Sequence, residues 1–199
     1  MEMEEQFRKA VAALTAGKPV VFPTDTVYGV GVAIGLAPSP AAIYEVKRRD
    51  PEKAIPWLVG NPGALSLYGK DVPEYAKAAA EEYWPGPLTL IVKAANNVPA
   101  AFRGPDGTIA LRMPNNPSAL ELIERVHFPL ATSSANFQGE TPPRSFDDVN
   151  PELLALVPAS VDDWNPRSGV SSTVVDCTGD TPRILREGAI SLEDLLALM

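Results

Sequence analysis

Along this chain, short apolar runs of strand length alternate with segments of helical period, and that alternation leaves few architectures open. The runs are Pro19 to Phe22, Ile55 to Val59, Leu88 to Val92, Thr108 to Arg112, Pro129 to Thr132, Ser172 to Cys177 and Arg183 to Leu185. Between and around them, Phe7, Val11 and Leu14 recur at helical spacing and Gly17 follows as a C-terminal glycine. Ser39-Pro40 places a cap before a proline at the first helical position, and Ile43, Tyr44 and Val46 continue a helix whose last turn is cationic. Asn61-Pro62, Val72-Pro73 and Asn116-Pro117 open further helices, and Ser191-x-x-Asp194 is a capping-box pattern for a last one. The fold class is therefore α/β. Several strand-to-strand links are too short for a crossover helix, so the sheet is mixed.

At 199 residues the chain has the length of one domain, taken as residues 1–199, and is long enough to bury a sizeable core. Its one cysteine, Cys177, excludes an internal disulfide, and its one histidine, His127, excludes a histidine-rich metal site. The start, Met-Glu-Met-Glu-Glu, is acidic where a secretory signal is basic, and no apolar run approaches the roughly 20 residues that span a bilayer. We expect a cytoplasmic protein with no membrane contact. A net charge of −8 and a pI near 4.7 argue against a long nucleic-acid footprint and leave room for a local cationic pocket. The prolines gather at element boundaries and in two stretches, 96–107 and 136–151, which are ligand loops or plain surface connections.

Neither of two familiar phosphate motifs is present: no G-x-x-x-x-G-K-[ST] occurs, and Gly29-Val30-Gly31 has Ile34 where a third glycine belongs. No G-x-S-x-G occurs either, and His127 stands in a Val-His-Phe-Pro context that looks like a strand entry, with no catalytic duty. Three other clusters carry chemistry. Pro23-Thr24-Asp25-Thr26-Val27-Tyr28-Gly29 follows a buried strand, where hydroxyls and a carboxylate either line a ligand crevice or cap a helix. Lys47-Arg48-Arg49 with Lys53 is a phosphate clamp or a solvated set of helix-dipole partners. Thr108 and Arg112 can share a crevice by strand alternation, as can Thr132 and Ser134; with the Ser168–Thr173 stretch, Arg186 and the lysine and arginines above they make one polar, cationic, nucleophile-poor site, suited to binding and polarising anions.

These blocks, together with Trp84-Pro-Gly-Pro-Leu-Thr-Leu, Ser134-Ala-Asn136, Ser172-Thr-Val-Val-Asp176 and Arg186-x-Gly188, resemble in order and spacing the YrdC-like family of threonylcarbamoyl-AMP synthases, over about residues 5–192. The resemblance implies a single YrdC-like domain, a twisted mixed sheet with helices around a large concave cationic cavity. It implies conversion of L-threonine, bicarbonate or CO2, and ATP to threonylcarbamoyl-AMP and pyrophosphate. The product would feed a downstream tRNA-modifying transferase complex that acts next to the anticodon, with tRNA binding by this chain weak or indirect. Motif by motif, Lys47 and Arg49 stand at catalytic positions. Thr26, Arg112, Thr132 and Ser172 stand at threonine positions. Arg49, Lys53, Thr108, Ser134, Asn136, Pro142 and Arg186 stand at ATP positions. Mg2+ is expected with the nucleotide, with no protein-held metal.

The chain departs from the family pattern at Leu58, where a histidine is common, at Ser171, where a glutamate is common, and at Gln138. The extra C-terminal domain and linker of longer members are expected to be missing. Two alternatives share the fold: a non-catalytic RNA-binding module, and a carbamoyl-adenylate-forming maturation module. The acidic composition weighs against the first, and the second normally carries further zinc-finger and acylphosphatase regions.

Overall fold

The computed structural model describes residues 2–48, 55–104, 106–165 and 167–199. Helix α1 (Met3–Thr15) ends as its sequence requires: Lys18 N donates to Ala13 O and Gly17 N to Leu14 O, with Gly17 at φ 70°. This Schellman closure needs a left-handed residue after the cap, which glycine adopts without steric cost. It turns the chain directly into β1 (Val20–Pro23), which pairs antiparallel with β2 (Tyr28–Ala33).

After α2 (Ala41–Lys47) come β3 (Trp57–Leu58), α3 (Ala64–Tyr68), β4 (Gly69–Lys70), α4 (Glu74–Tyr83) and β5 (Leu88–Ala94). Then follow β6 (Thr108–Arg112), α5 (Pro117–Val126), β7 (Leu130–Ser134), α6 (Pro151–Ala155), β8 (Ala159–Ser160), β9 (Thr173–Asp176), β10 (Arg183–Arg186) and α7 (Leu192–Leu196). The sheet runs β10-β9-β5-β6-β3-β7-β2-β1-β8, with β4 on β5. The pairs β1/β8, β3/β6 and β5/β9 are parallel and the rest antiparallel, so the sheet is mixed as expected.

Several boundaries differ from the sequence reading. The strand expected at Ile55 to Val59 is confined to two residues, Trp57–Leu58, and Pro56 before them has no N–H to give the ladder. Helix α2 begins at Ala41 with Pro40 as cap, although Ser39 Oγ still accepts from Ala41 N at 3.3 Å. Asn116 caps α5 as read, its side chain accepting from Ala119 N at 2.8 Å. His127 closes that helix in the left-handed region, φ 61°, a structural duty and no strand position.

Alternation and register sort the core onto two faces. On one, Leu88, Leu90, Val92, Trp57, Leu111, Val30 and Val32 join buried residues of α2, α3, α4, α6 and α7. On the other, Val20, Phe22, Ala33, Leu58 and Leu130 pack on Phe7 and Leu14 of α1 and Leu122 of α5. Each such fully buried side chain contributes roughly 1.5–3 kcal/mol. Helices α1 and α5 lie mainly over β1, β2 and β8, reaching Leu58 of β3 and Leu130 of β7. The rest of that second face is where the polar residues emerge.

Candidate functional site

Cross-strand partners share a face, so the register tells which side chains stand together. Gly29 pairs with Ser134 and Gly31 with Thr132; Leu58 pairs with both Leu130 and Arg112. Thr108 pairs with Lys93 on β5, two strand repeats from Thr89, and Thr89 pairs with Val174, which pairs with Arg186. Thr89, Thr108, Arg112, Thr132, Ser134 and Arg186 therefore occupy one face of the sheet. The gathering of hydroxyls and cations read from the sequence is realised by register alone.

Two backbone devices make this face possible. A Cβ on Gly29 would stand 2.7 Å from Thr132 Cγ2, and one on Gly31 would stand 2.7 Å from Ala131 O and 2.8 Å from Thr132 Oγ1. The Gly-x-Gly of β2 is thus a notch for Thr132. At the far end, Ile184 pairs with Val175 but Arg186, with Leu185 left over, pairs with Val174. This bulge puts Arg186 on the polar face; without the extra residue, alternation would turn it to the other side.

Register also shows how strongly the sheet curls. Arg112 is level with Leu130 and, through it, with Ala33. Thr26 lies seven residues further down that hairpin, roughly 20 Å away in a flat sheet. Yet Arg112 Nη1 donates to Thr26 Oγ1 at 3.1 Å. The hairpin turn bends over the face to meet it. Thr24, which caps this turn rather than a helix, donates to Val27 O at 2.6 Å and accepts from Thr26 N at 3.2 Å.

Arg112, 7% exposed, also donates from Nε to Gly86 O at 3.1 Å and from Nη2 to the Asp25 carboxylate. Gly86 presents its carbonyl because the Trp84-Pro85-Gly86-Pro87 turn is anchored on both sides: Gly86 N donates to Met113 O at 2.8 Å and Thr173 N to Pro87 O at 2.9 Å. Ser172 is buried between Thr89 Oγ1, 2.8 Å away, and Arg186 Nη2, 2.9 Å away. Arg186 is an exposed residue, but its guanidinium rests on the Ser172 carbonyl and hydroxyl. Desolvation there, followed by the like charge of Arg112, lowers its pKa. The two guanidiniums therefore act on one another. Gly188 packs against this corner, a Cβ there standing 2.4 Å from Thr173 N and 2.5 Å from Ser171 O.

Lys47, the first cation of the clamp read in the sequence, lies buried. It is 3% exposed, and its ammonium donates to Ser134 O and to Asn136 O, the latter at 2.6 Å, with Asn136 Oδ1 at 3.5 Å. It positions the turn that follows β7. Asn136, in turn, donates to Phe137 O and Glu140 O at 2.9 and 2.8 Å, folding the loop that carries Pro142. Arg48 leans over the Phe137 ring at 4.2 Å and pairs with Glu152 at 3.2 Å. Arg49 and Lys53 lie outside the described residues.

One supporting element was not foreseen. Asp163 and Arg167 form an ion pair with side chains 4% and 2% exposed, and Asp163 also accepts from Asn116 Nδ2 at 3.1 Å. Tyr28 Oη donates to Asp162 Oδ1 at 2.7 Å. Ser168 N and Gly169 N then donate to Asp25 O and Thr26 O at 3.2 and 2.9 Å, strapping the 162–172 segment onto the hairpin turn. The sequence signal was Asp163 and Arg167 four residues apart amid turn formers. Two clefts of about 540 and 400 Å3, lined among others by Tyr75 and Asp180 and by Leu67 and Phe128, contain none of the expected site residues. Among the described residues no three His, Cys, Asp or Glu side chains gather into a metal cluster, and no helix is long and apolar enough to cross a membrane.

Fold and site define a class of α/β domain: a curled mixed sheet whose partly uncovered face holds two guanidiniums among small hydroxyls, fit for anionic groups. The chain belongs to the Sua5/YciO/YrdC family, whose model, described as telomere recombination, matches residues 12–188. It is 35% identical over 192 residues to the threonylcarbamoyl-AMP synthase of Pyrococcus abyssi, covering 96% of this chain and 56% of that protein. It is 36% identical over 190 residues to the putative threonylcarbamoyl-AMP synthase of Mycobacterium tuberculosis, covering 96% and 87%. The crystal structure of P. abyssi Sua5 complexed with L-threonine superposes with a TM-score of 0.90 at 34% identity, covering 100% of this chain and 58% of that one. The chain thus spans somewhat over half the length of the Pyrococcus relative.

Proposed function

We propose that this chain makes L-threonylcarbamoyl-AMP from L-threonine, CO2 or bicarbonate, and ATP. The observation that carries the reading is the pair Arg112 and Arg186 on one sheet face, with Thr132, Ser134 and Ser172 around them. The relatives named threonylcarbamoyl-AMP synthase and the threonine complex of P. abyssi Sua5 support the same reading.

Threonine sits by Thr26, Arg112, Thr132 and Ser172, its carboxylate on the fork of Arg112. ATP lies along Thr108, Ser134, Asn136, Pro142 and Arg186, with Arg49 and Lys53 reaching its phosphates. The threonine ammonium gives up a proton to water, and the neutral amine adds to CO2 and gives up a second, leaving a carbamate. A carbamate oxygen then attacks the α-phosphorus, and the bond to the β-phosphate oxygen breaks as pyrophosphate leaves. No protein nucleophile takes part. The residues hold the two reactants in line and stabilise charge on the transferring and leaving phosphates, with Arg49 and Arg186 in that role. The site offers guanidiniums and hydroxyls rather than a carboxylate cage, so Mg2+ would come with the nucleotide and would help to neutralise its phosphates. The adenylate passes in the cytoplasm to a transferase that modifies tRNA, and this chain touches RNA weakly or not at all.

The test is pyrophosphate release from ATP and magnesium, with and without L-threonine and bicarbonate, followed by mass analysis of the nucleotide. Release that needs both, with a threonylcarbamoyl-adenylate mass, is expected. Release that is indifferent to threonine, or none from folded protein that binds ATP, refutes it.

A further inference from the structure

Binding a carboxylate on an arginine does not by itself distinguish an amino acid from any other small acid. Resting on the proposed function above, the geometry points to Asp25 as the ammonium-binding, specificity-determining residue of the site, working beside the carboxylate-binding fork of Arg112.

The donors and acceptors can be assigned one at a time. A guanidinium has five N–H groups. Three are committed, to Gly86 O, Thr26 Oγ1 and Asp25 Oδ1, and two remain to receive a carboxylate. Thr24 has one hydroxyl proton, and it goes to Val27 O at 2.6 Å. Thr24 Oγ1 also accepts from Thr26 N and Val27 N at 3.2 and 3.3 Å, and Thr26 Oγ1 lies 3.1 Å from it. Thr26 has given one lone pair to Arg112 and keeps a second. Asp25, whose side chain is 16% exposed, uses Oδ1 on Arg112, and its Oδ2 has no partner among the described residues.

The result is a pair of donors on a cation next to acceptors on a carboxylate and a hydroxyl. An α-amino acid carries the complement, a carboxylate and an ammonium on one carbon. A plain hydroxy acid satisfies only the donors and leaves the Asp25 oxygen and the Thr26 lone pair facing an apolar group, which the low-dielectric surroundings of the site penalise. Backbone N–H groups of Ser168 and Gly169 on the carbonyls of Asp25 and Thr26 hold the acceptors in place.

The experiment titrates the full chain, as wild type, Asp25→Asn and Asp25→Glu, with L-threonine and with (R)-3-hydroxybutyrate, which keeps the carboxylate and hydroxyl and lacks the amine. Wild type is expected to favour threonine by about tenfold or more, the scale of one charge-assisted hydrogen bond. In Asp25→Asn that preference is expected to collapse, because threonine weakens while hydroxybutyrate does not, and Asp25→Glu is expected to restore part of it. If Asp25 only steadies Arg112, both ligands weaken by the same factor, the preference survives, and the assignment is overturned. A wild type that shows no preference overturns it as well. If wild type ignores threonine but binds another α-amino acid with an Asp25-dependent preference over its des-amino analogue, the proposed substrate fails and the role of Asp25 stands. If no free α-amino acid binds, both fail.

Discussion

Replacing Lys47 by methionine keeps an unbranched apolar stem of similar length and removes only the ammonium. That ammonium is what the carbonyls of Ser134 and Asn136 accept from, inside a residue that is 3% exposed. Two buried carbonyls then lose a charged donor, at about 1–3 kcal/mol each. Removing the buried charge returns part of its desolvation cost, so the net loss is about 2–4 kcal/mol. For a chain of this size that is a fall in Tm of roughly 5–15 °C. Calorimetry of Lys47→Met near neutral pH reads it directly, and pyrophosphate release run beside it should show a reduced kcat with the KM for threonine little changed. The opposite pattern would refute the reasoning: a melting temperature within about 1 °C of wild type with a large loss of kcat would mean that the ammonium is available to phosphate and does not support the turn.

Two further expectations follow from the same corner of the sheet and from its strap. Gly188→Ala forces a Cβ against backbone atoms of Ser171 to Thr173 at 2.4–2.7 Å; a loss of about 1–3 kcal/mol in denaturant unfolding and a raised KM for ATP should appear together, and an unchanged midpoint would show that the corner yields. For Asp163, burial alone would raise the pKa, but Arg167, Asn116 and the Asn165 N–H outweigh it and hold the carboxyl below its usual value. Its stability contribution is complete above that usual value and is lost as pH falls through the lowered one, so Tm should drop below about pH 4. In Asp163→Asn the neutral-pH Tm should be lower and the acid limb shallower; an acid limb with the wild-type slope would assign the effect to other groups.

What could be read from the sequence was local, and what could not depended on partners far along the chain. The strands at Val20, Leu88, Thr108 and Leu130 and the caps at Asn116 and Ser191 announce themselves through alternation and side-chain chemistry within a few residues. Strands β4 and β8 are two residues each, too short to show a period. Thr24 was open to a helix-cap reading because nothing nearby says that the next element is a strand bending back on β1. Gly29 and Gly31 looked like a failed nucleotide motif, since the threonine they accommodate is a hundred residues away on β7. The carbonyls around Lys47 could not be read, because a cation after a helix says nothing about which ones will surround it. The site residues on strands were gathered correctly by alternation, with Arg186 reaching them only through a bulge that pattern reading does not see.

The pairing of β5 has a consequence for how this protein is made. One edge of β5 is met by β6 soon after it leaves the ribosome, but the other, met by β4 at Lys93 and Ala94, waits for β9 along Leu88 to Ile91, with β6 through β8 synthesised in between. Until then Leu88, Leu90 and Val92 sit on a strand with an open edge, the kind of surface through which nascent chains stick to one another. The segment that closes this edge is also the one that brings Ser172 and Arg186. Protection from aggregation and completion of the site thus come in one step of synthesis, and a chain stopped short of β9 is expected to need a chaperone to stay in solution rather than to persist as a weakened enzyme.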